Sequence, residues 1–357
     1  MSIMIAIFFA VILFSLLIFV HELGHFVAAK LSGIQVNEFS MFMGPAIAKW
    51  RRGETLYSIR CIPIGGYCAM EGEDEDTDNP RSFQKASWWK RLIVLAAGSF
   101  MNFVVGVLLV AIVLFCQNGY ATTQLAEIEP WCTAAVENGL QAGDVITEFD
   151  GHKIRIYEDF ALATMLAPDG EYDITVIRDG QRLELENVPM VRQPVDVGNG
   201  AVSMRYGIAF DTAKTTPASV PGRILPTAFY YVKAVAVSLR MLVTGQAGLQ
   251  DMTGAVGIVQ IMSESAAAAE SAGGAVLNML YFGSFLAINL AVMNMLPIPA
   301  LDGGRILGLL LTTGAEKITG KRIDPKYEGY IHAAGMILLL GLMAVITFKD
   351  IFTIFKR

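Results

Sequence analysis

Charged side chains vanish from four stretches of the chain: residues 1–20, 92–116 and 271–301 carry none, and 331–348 carries none beyond the titratable His332. A hydrocarbon core admits helices of about 20 apolar residues, because every backbone amide must be satisfied within its own segment. Four transmembrane helices are therefore expected. Residues 1–20 also admit reading as a signal peptide, but they lack a basic leader and run longer than such an apolar stretch needs. Beside the spans, residues 31–91 hold Lys49, Arg51, Arg52, Arg60, Arg81, Lys85, Lys90 and Arg91, and the loop between spans three and four holds Lys317, Lys321, Arg322 and Lys326. Both loops are predicted cytoplasmic, which sends both termini and residues 117–274 to the other face. Within residues 221–245, Lys233, Arg240 and Thr244 share one helical stripe, as in a helix lying at the interface; a fifth span would have to bury two cations.

Polar spacing changes between residues 122 and 190. Short alternating runs at 124–128, 144–149, 174–177 and 182–188 are separated by turns, two of them Asp-Gly (Asp150-Gly151 and Asp179-Gly180), a hairpin signal. The phrase Gly139-Leu140-Gln141-Ala142-Gly143-Asp144-Val145-Ile146 resembles the helix-to-strand junction of PDZ domains, which bind peptides by strand addition, although no carboxylate-binding loop is recognisable. A β-rich spacer that binds nothing stays open as the alternative. Residues 46–49 and 56–62 predict a cytoplasmic hairpin beside the membrane, with Pro63, Gly65 and Gly66 breaking the second strand. The acidic run 71–78 reads as a solvated stretch, with cation binding as the alternative.

The expected fold class is thus a polytopic α-helical membrane protein: four transmembrane helices, a membrane-associated cytoplasmic β-hairpin and one extracytoplasmic PDZ-like α/β domain. In order, residues 1–30 form the first helix and 31–91 the β loop. Residues 92–116 form the second helix, 117–195 the PDZ-like domain, and 196–270 a linker with the interfacial helix. Residues 271–304 form the third helix, 305–330 a cytoplasmic loop and 331–348 the last helix. Composition agrees: 54 % of the 357 residues are hydrophobic and 17 % charged, with mean hydropathy +0.49, too apolar for a wholly soluble domain. Net charge is −6 with no basic cluster, so nothing supports a nucleic-acid partner. The four cysteines show no CxxC spacing and receive no role; a Cys116–Cys132 bridge is left open.

The candidate chemistry stands at the end of the first apolar run, His21-Glu22-Leu23-Gly24-His25. Histidines at i and i+4 share a helix face and reach one Zn²⁺, with the intervening glutamate placed to handle the proton of an attacking water. A catalytic zinc takes three protein ligands and leaves one position open. His152 and His332 are poorly placed for the third. Better placed is Asp302, which ends the uncharged run of span three behind Pro297 and Pro299, residues that break a helix, and ahead of Gly303 and Gly304, which permit a close turn. An aspartate pairing with Arg305 is the plainer reading of that carboxylate.

These pieces together resemble the site-2 protease family (peptidase family M50) of intramembrane zinc metalloproteases, in the bacterial branch that regulates sigma factors by cleaving anti-sigma proteins. The likeness rests on HELGH at 21–25, PIGGY at 63–67, GLQAGDVI at 139–146, TGAVGI at 253–258 and NMLPIPALDGG at 294–304. Ala255 departs from the proline of many relatives, and one PDZ-like domain stands where some have two. The resemblance implies that His21, His25 and Asp302 bind zinc, that Glu22 is the acid/base, and that Asn294, with Pro297 and Pro299 beside it, contacts substrate. It also implies a membrane-spanning protein substrate (an anti-sigma factor or a signal-peptide remnant), a peptide or substrate tail at the PDZ-like domain, and residence in the bacterial inner membrane with the active site toward the cytoplasm. An ion pathway through the same residues would require further polar groups in several spans, and spans two and four offer only Asn102 and His332. A membrane-anchored scaffold would contain no zinc.

Overall fold

A computed structural model describes residues 3–356 apart from 74, 76, 137–138, 197–201, 249, 270 and 321–325. Of the residues singled out above, Lys321 and Arg322 lie outside the described set, as do Asp74 and Asp76 of the acidic run. The chain divides into two units, residues 1–109 with 235–357 and residues 110–234, with the divisions falling inside helices.

In the first unit, α1 (Ile3–Ser32), α2 (Trp88–Cys116), α6 (Ala272–Asn294) and α8 (Lys326–Lys356) each contain a stretch long and apolar enough to cross a membrane. The first candidate span covers Ile7–Ser32, against residues 1–30 expected for the first helix, and takes in His21 to His25. Lys30, in the last turn of α1, pairs with Glu54 at 2.6 Å. Two further helices, α5 (Ala255–Ala267) and α7 (Asp302–Thr319), occupy regions expected to be linker and loop. Helix α7 stops at Gly320, whose φ of 68° is the left-handed C-terminal signal of glycine. Asp350 of α8 accepts from the amides of Gly254 and Gly257 at 2.9 and 3.0 Å and so caps α5; an added Cβ at either glycine would collide with that carboxylate.

Between α1 and α2 the chain forms β1 (Val36–Arg52) and β2 (Thr55–Met70), followed by a single 3₁₀ turn at Phe83–Lys85. These strands are far longer than 46–49 and 56–62. Each bends: Phe42 and Gly44 take φ of 71° and 84°, and Gly65 takes 83°. Residues 38–41 consequently pair on both sides, with 56–59 along one and 66–69 along the other, Val36 adding a pair with Met70, while 46–52 pairs with 55–60. The result is four short arms with 46–52 and 66–70 at the edges. Pro63 does not end the strand because it sits in the bend, where no ladder donor is demanded. Its carbonyl accepts from Ser15 of α1 at 2.7 Å.

The second unit contains β3 (Gly119–Ile128), β4 (Val145–Phe149), β5 (His152–Lys153), α3 (Tyr157–Leu166), β6 (Gly170–Arg178), β7 (Gln181–Met190), β8 (Gln193–Asp196), β9 (Val202–Arg205), β10 (Ile208–Lys214) and the start of α4 (Pro221–Val243). An antiparallel sheet runs β10-β3-β4-β6-β7, with β5 beside β4 and β8-β9 forming a separate ribbon. Both Asp-Gly pairs make the expected tight turns with positive φ. The sheet draws its outermost strand from beyond residue 195. Ile146, Phe149 and Ile174 lie fully buried with Phe160 of α3, each contributing about 1.5–3 kcal/mol. Lys233 of α4 reaches the buried carboxylate of Asp159 at 2.6 Å. All four cysteines are free, so no Cys116–Cys132 bridge forms.

Candidate metal centre

His21 and His25 project from successive turns of one face of α1, with their rings edge to face and their Nε2 atoms 3.2 Å apart. The partner carboxylate comes from the first residue of α7. After Asn294 the helix fails, because Pro297 and Pro299 cannot continue the hydrogen-bond ladder. The chain then turns through Ala300, at φ 78°, whose amide donates to His332 Nδ1 at 2.9 Å, while Pro299 packs on Gly335 of α8. Gly303 and Gly304 lie so near the carbonyls of Leu296 and Ile298 that an added Cβ would approach to 2.3 and 2.2 Å. Only glycine fits there.

This turn sets Asp302 Oδ2 at 3.3 Å from His21 Nε2 and 3.5 Å from His25 Nε2. A tetrahedral ion with bonds of 2.0–2.1 Å has ligand-to-ligand edges of about 3.3–3.4 Å, so the triangle is of the size a zinc ion requires. Among the described residues these three form the group of histidine, cysteine and carboxylate side chains able to hold a metal. His25 Nδ1 lies 2.8 Å from the carbonyl of Val94, which fixes the proton on Nδ1 and turns the Nε2 lone pair toward the triangle.

The centre opens on a cavity of about 750 Å³ lined also by Glu22, Tyr67, Cys68, Glu73, Asn294 and Arg305. Burial pushes the Cys68 thiol up, so it is a neutral wall rather than a thiolate ligand. Glu73 pairs with Arg305 across the cavity. Asn294 faces the cavity with Nδ2 at 3.5 Å from His21 Nδ1, whereas Pro297 and Pro299 are not among its lining residues.

Two features escape a reading of the sequence. Gly98 of α2 crosses directly over the histidines: an added Cβ would stand 2.4 Å from His25 Nε2 and 2.7 Å from His21 Cε1. Gly24 of α1 meets α2 just as closely, at the carbonyl of Ala97. Small residues inside an apolar span are the only trace such an approach leaves. The Glu73–Arg305 pair joins residues more than two hundred positions apart, for which the sequence carries no signal.

The profile of peptidase family M50 matches residues 9–342. A Clostridium perfringens protein assigned by name to the zinc metalloproteases is 35 % identical over 350 residues, covering 97 % of this chain and 98 % of that one. The regulator of sigma-W protease RasP of Bacillus subtilis is 28 % identical over 426 aligned positions, with 97 % and 98 % covered. The zinc metalloprotease RasP of Oceanobacillus iheyensis is 29 % identical over 432, with the same coverage. A match across nearly the whole length, joined to a zinc-sized ligand triangle in a multi-pass membrane unit, places this chain in peptidase family M50, the site-2 protease family of zinc metalloproteases.

Proposed function

We propose that the enzyme hydrolyses a peptide bond within or near the transmembrane helix of a single-span protein, using His21, His25 and Asp302 as zinc ligands and Glu22 as the acid/base. The observation that carries this reading is the triangle of 3.2, 3.3 and 3.5 Å edges beside Glu22, open to a cavity in the unit that holds α1, α6 and α8. When bound, zinc supplies Lewis acidity that polarises the scissile carbonyl and makes water acidic enough to ionise near neutral pH. Glu22 takes a proton from the attacking water and returns one to the leaving amine. Asn294, which faces the cavity, turns its side-chain amide toward the oxyanion. Pro297 and Pro299 act one step removed from the cavity, by breaking α6 and seating the turn on α8.

A transmembrane helix presents no free carbonyl and must unwind before attack, which leaves its amides without partners. The edge arm 66–70 of β2 supports a place where they are re-satisfied, since Tyr67, Cys68, Ala69 and Met70 line the cavity and strand addition supplies a new ladder. This edge lies across the sheet from the other edge arm, 46–52.

The second unit we read as the PDZ-like domain. Its antiparallel sheet, the single helix α3 and a cavity of about 600 Å³ flanked by Tyr157, Phe160, Tyr206 and Phe210 support peptide capture alongside β10. Placement of residues 31–91 in the cytoplasm, and of the PDZ-like unit outside a bacterial inner membrane, follows from the lysines and arginines beside the spans. That the Bacillus subtilis relative is a regulator of sigma-W supports an anti-sigma factor as substrate; a signal-peptide remnant is the other substrate of the same build.

The test is cleavage of purified single-span proteins by the full-length enzyme in detergent, with and without a zinc chelator, followed by mass analysis of the products. A cut inside the membrane segment that disappears with chelator and returns with zinc is expected. Glu22→Gln retains zinc and loses activity at least about 100-fold. Proteolysis that persists in this variant overturns the role of Glu22.

A further inference from the structure

Helix α2 offers one partner to each corner of the triangle. Val94 gives its carbonyl to His25 Nδ1, Ser99 stands with Oγ 3.5 Å from Asp302 Oδ2, and Asn102 places its side-chain amide 3.5 Å from His21 Nδ1. Residues 94, 98 and 102 recur every four positions, so the carbonyl, the close-packed Gly98 and the asparagine fall along one face of the helix. Asn102 is 1 % exposed, and its Oδ1 has no hydrogen-bond partner among the described residues.

For Nε2 of His21 to face a metal, its ring proton must sit on Nδ1, and a protonated Nδ1 needs an acceptor. Two amides lie within reach, those of Asn102 and Asn294, each with Nδ2 toward the ring. Two donors cannot serve a third. Asn294 lines the cavity and meets water or substrate in any orientation, whereas Asn102 is sealed behind the ring. A half turn of the Asn102 amide about χ2 brings the unpartnered Oδ1 onto Nδ1, and the bond gains strength as the ring is polarised by the metal. Asn294 then keeps its amide free for the cavity.

We propose that Asn102 is the positioning residue of His21, accepting its Nδ1 proton through Oδ1, so that α2 forms the outer layer that orients the metal ligands. The inference rests on the ligand set assigned above. It is tested by zinc affinity, measured by chelator competition on full-length protein in detergent, for wild type, Asn102→Ala, Asn102→Asp and Asn294→Ala. Loss of the acceptor weakens zinc binding 10–100-fold in Asn102→Ala, by analogy with outer-layer partners of other zinc histidines. Asn102→Asp, which accepts but cannot donate, holds zinc within a few-fold of wild type or more tightly, and Asn294→Ala changes affinity less than threefold. A wild-type protein that binds zinc while Asn102→Ala matches it overturns this inference alone. Asn102→Asp as weak as Asn102→Ala overturns the acceptor role. Wild type without stoichiometric zinc overturns the ligand set itself, and this inference with it.

Discussion

At the scale of single residues, chemistry and the space that permits it come from different parts of the chain. The pair His21 and His25 is legible as spacing, because i and i+4 share a helix face, and Asp302 is legible as a carboxylate ending a charge-free run. Gly98 is not, since its importance depends on which helix passes over the rings. Gly98→Ala therefore makes a sharp prediction: a methyl group 2.4 Å from His25 Nε2 must push the imidazole off the triangle or α2 away from α1. Zinc affinity is expected to fall more than tenfold, while Gly314→Ala, at a helical glycine with open space around it, leaves affinity unchanged. Equilibrium dialysis with zinc quantitation checks it. Equal affinity for the two variants would show that the site tolerates the methyl.

At the scale of elements, the errors of sequence reading share a cause: a local signal was overruled by what lay beside it. Pro63 and Gly66 signal a strand end, yet β2 continues to Met70 because its last arm returns to pair with β1. Lys30, in the last turn of α1, pairs with Glu54 and joins that helix to the hairpin. Helix α7 starts at the very aspartate that was read as the end of span three. Glu54 also gives the hairpin a measurable pH dependence. Two hydrogen bonds from Arg81, joined by Lys30, hold its carboxyl down to about 2 from an ordinary 4.5. A depressed carboxylate stabilises the fold fully above its unfolded value, and that stability drains away as pH falls from about 4.5 toward 2. Because the pair is partly exposed, its contribution is held to at most about 1 kcal/mol. The thermal midpoint of Glu54→Gln should lie below wild type at pH 7 and approach it at pH 3. A gap of constant size would remove Glu54 from the account.

For the whole molecule, the apolar runs disclosed four spans and the turn signals disclosed most of the second unit's sheet, while β10 stayed hidden because its strand partner, β3, lies some ninety residues earlier. On the proposed ligand set, an ion held by His21, His25 and Asp302 ties α1 to α7 within the first unit, and so acts on the folded state of that unit and scarcely on the unfolded chain. Zinc at 100 times its dissociation constant should then stabilise the protein by about 2.7 kcal/mol, read as a rise in thermal midpoint that chelator reverses. An unchanged midpoint would mean that the ion does not bridge the two helices.

The separation of the histidines from their aspartate also sets a timetable for biosynthesis. A ribosome releases the HELGH segment into the bilayer early and reaches Asp302 only on the order of tens of seconds later. On the proposed ligand set, the growing chain holds two of three ligands and Glu22 throughout that interval but no complete metal site. On that reading the centre cannot close on an ion until the chain is nearly finished.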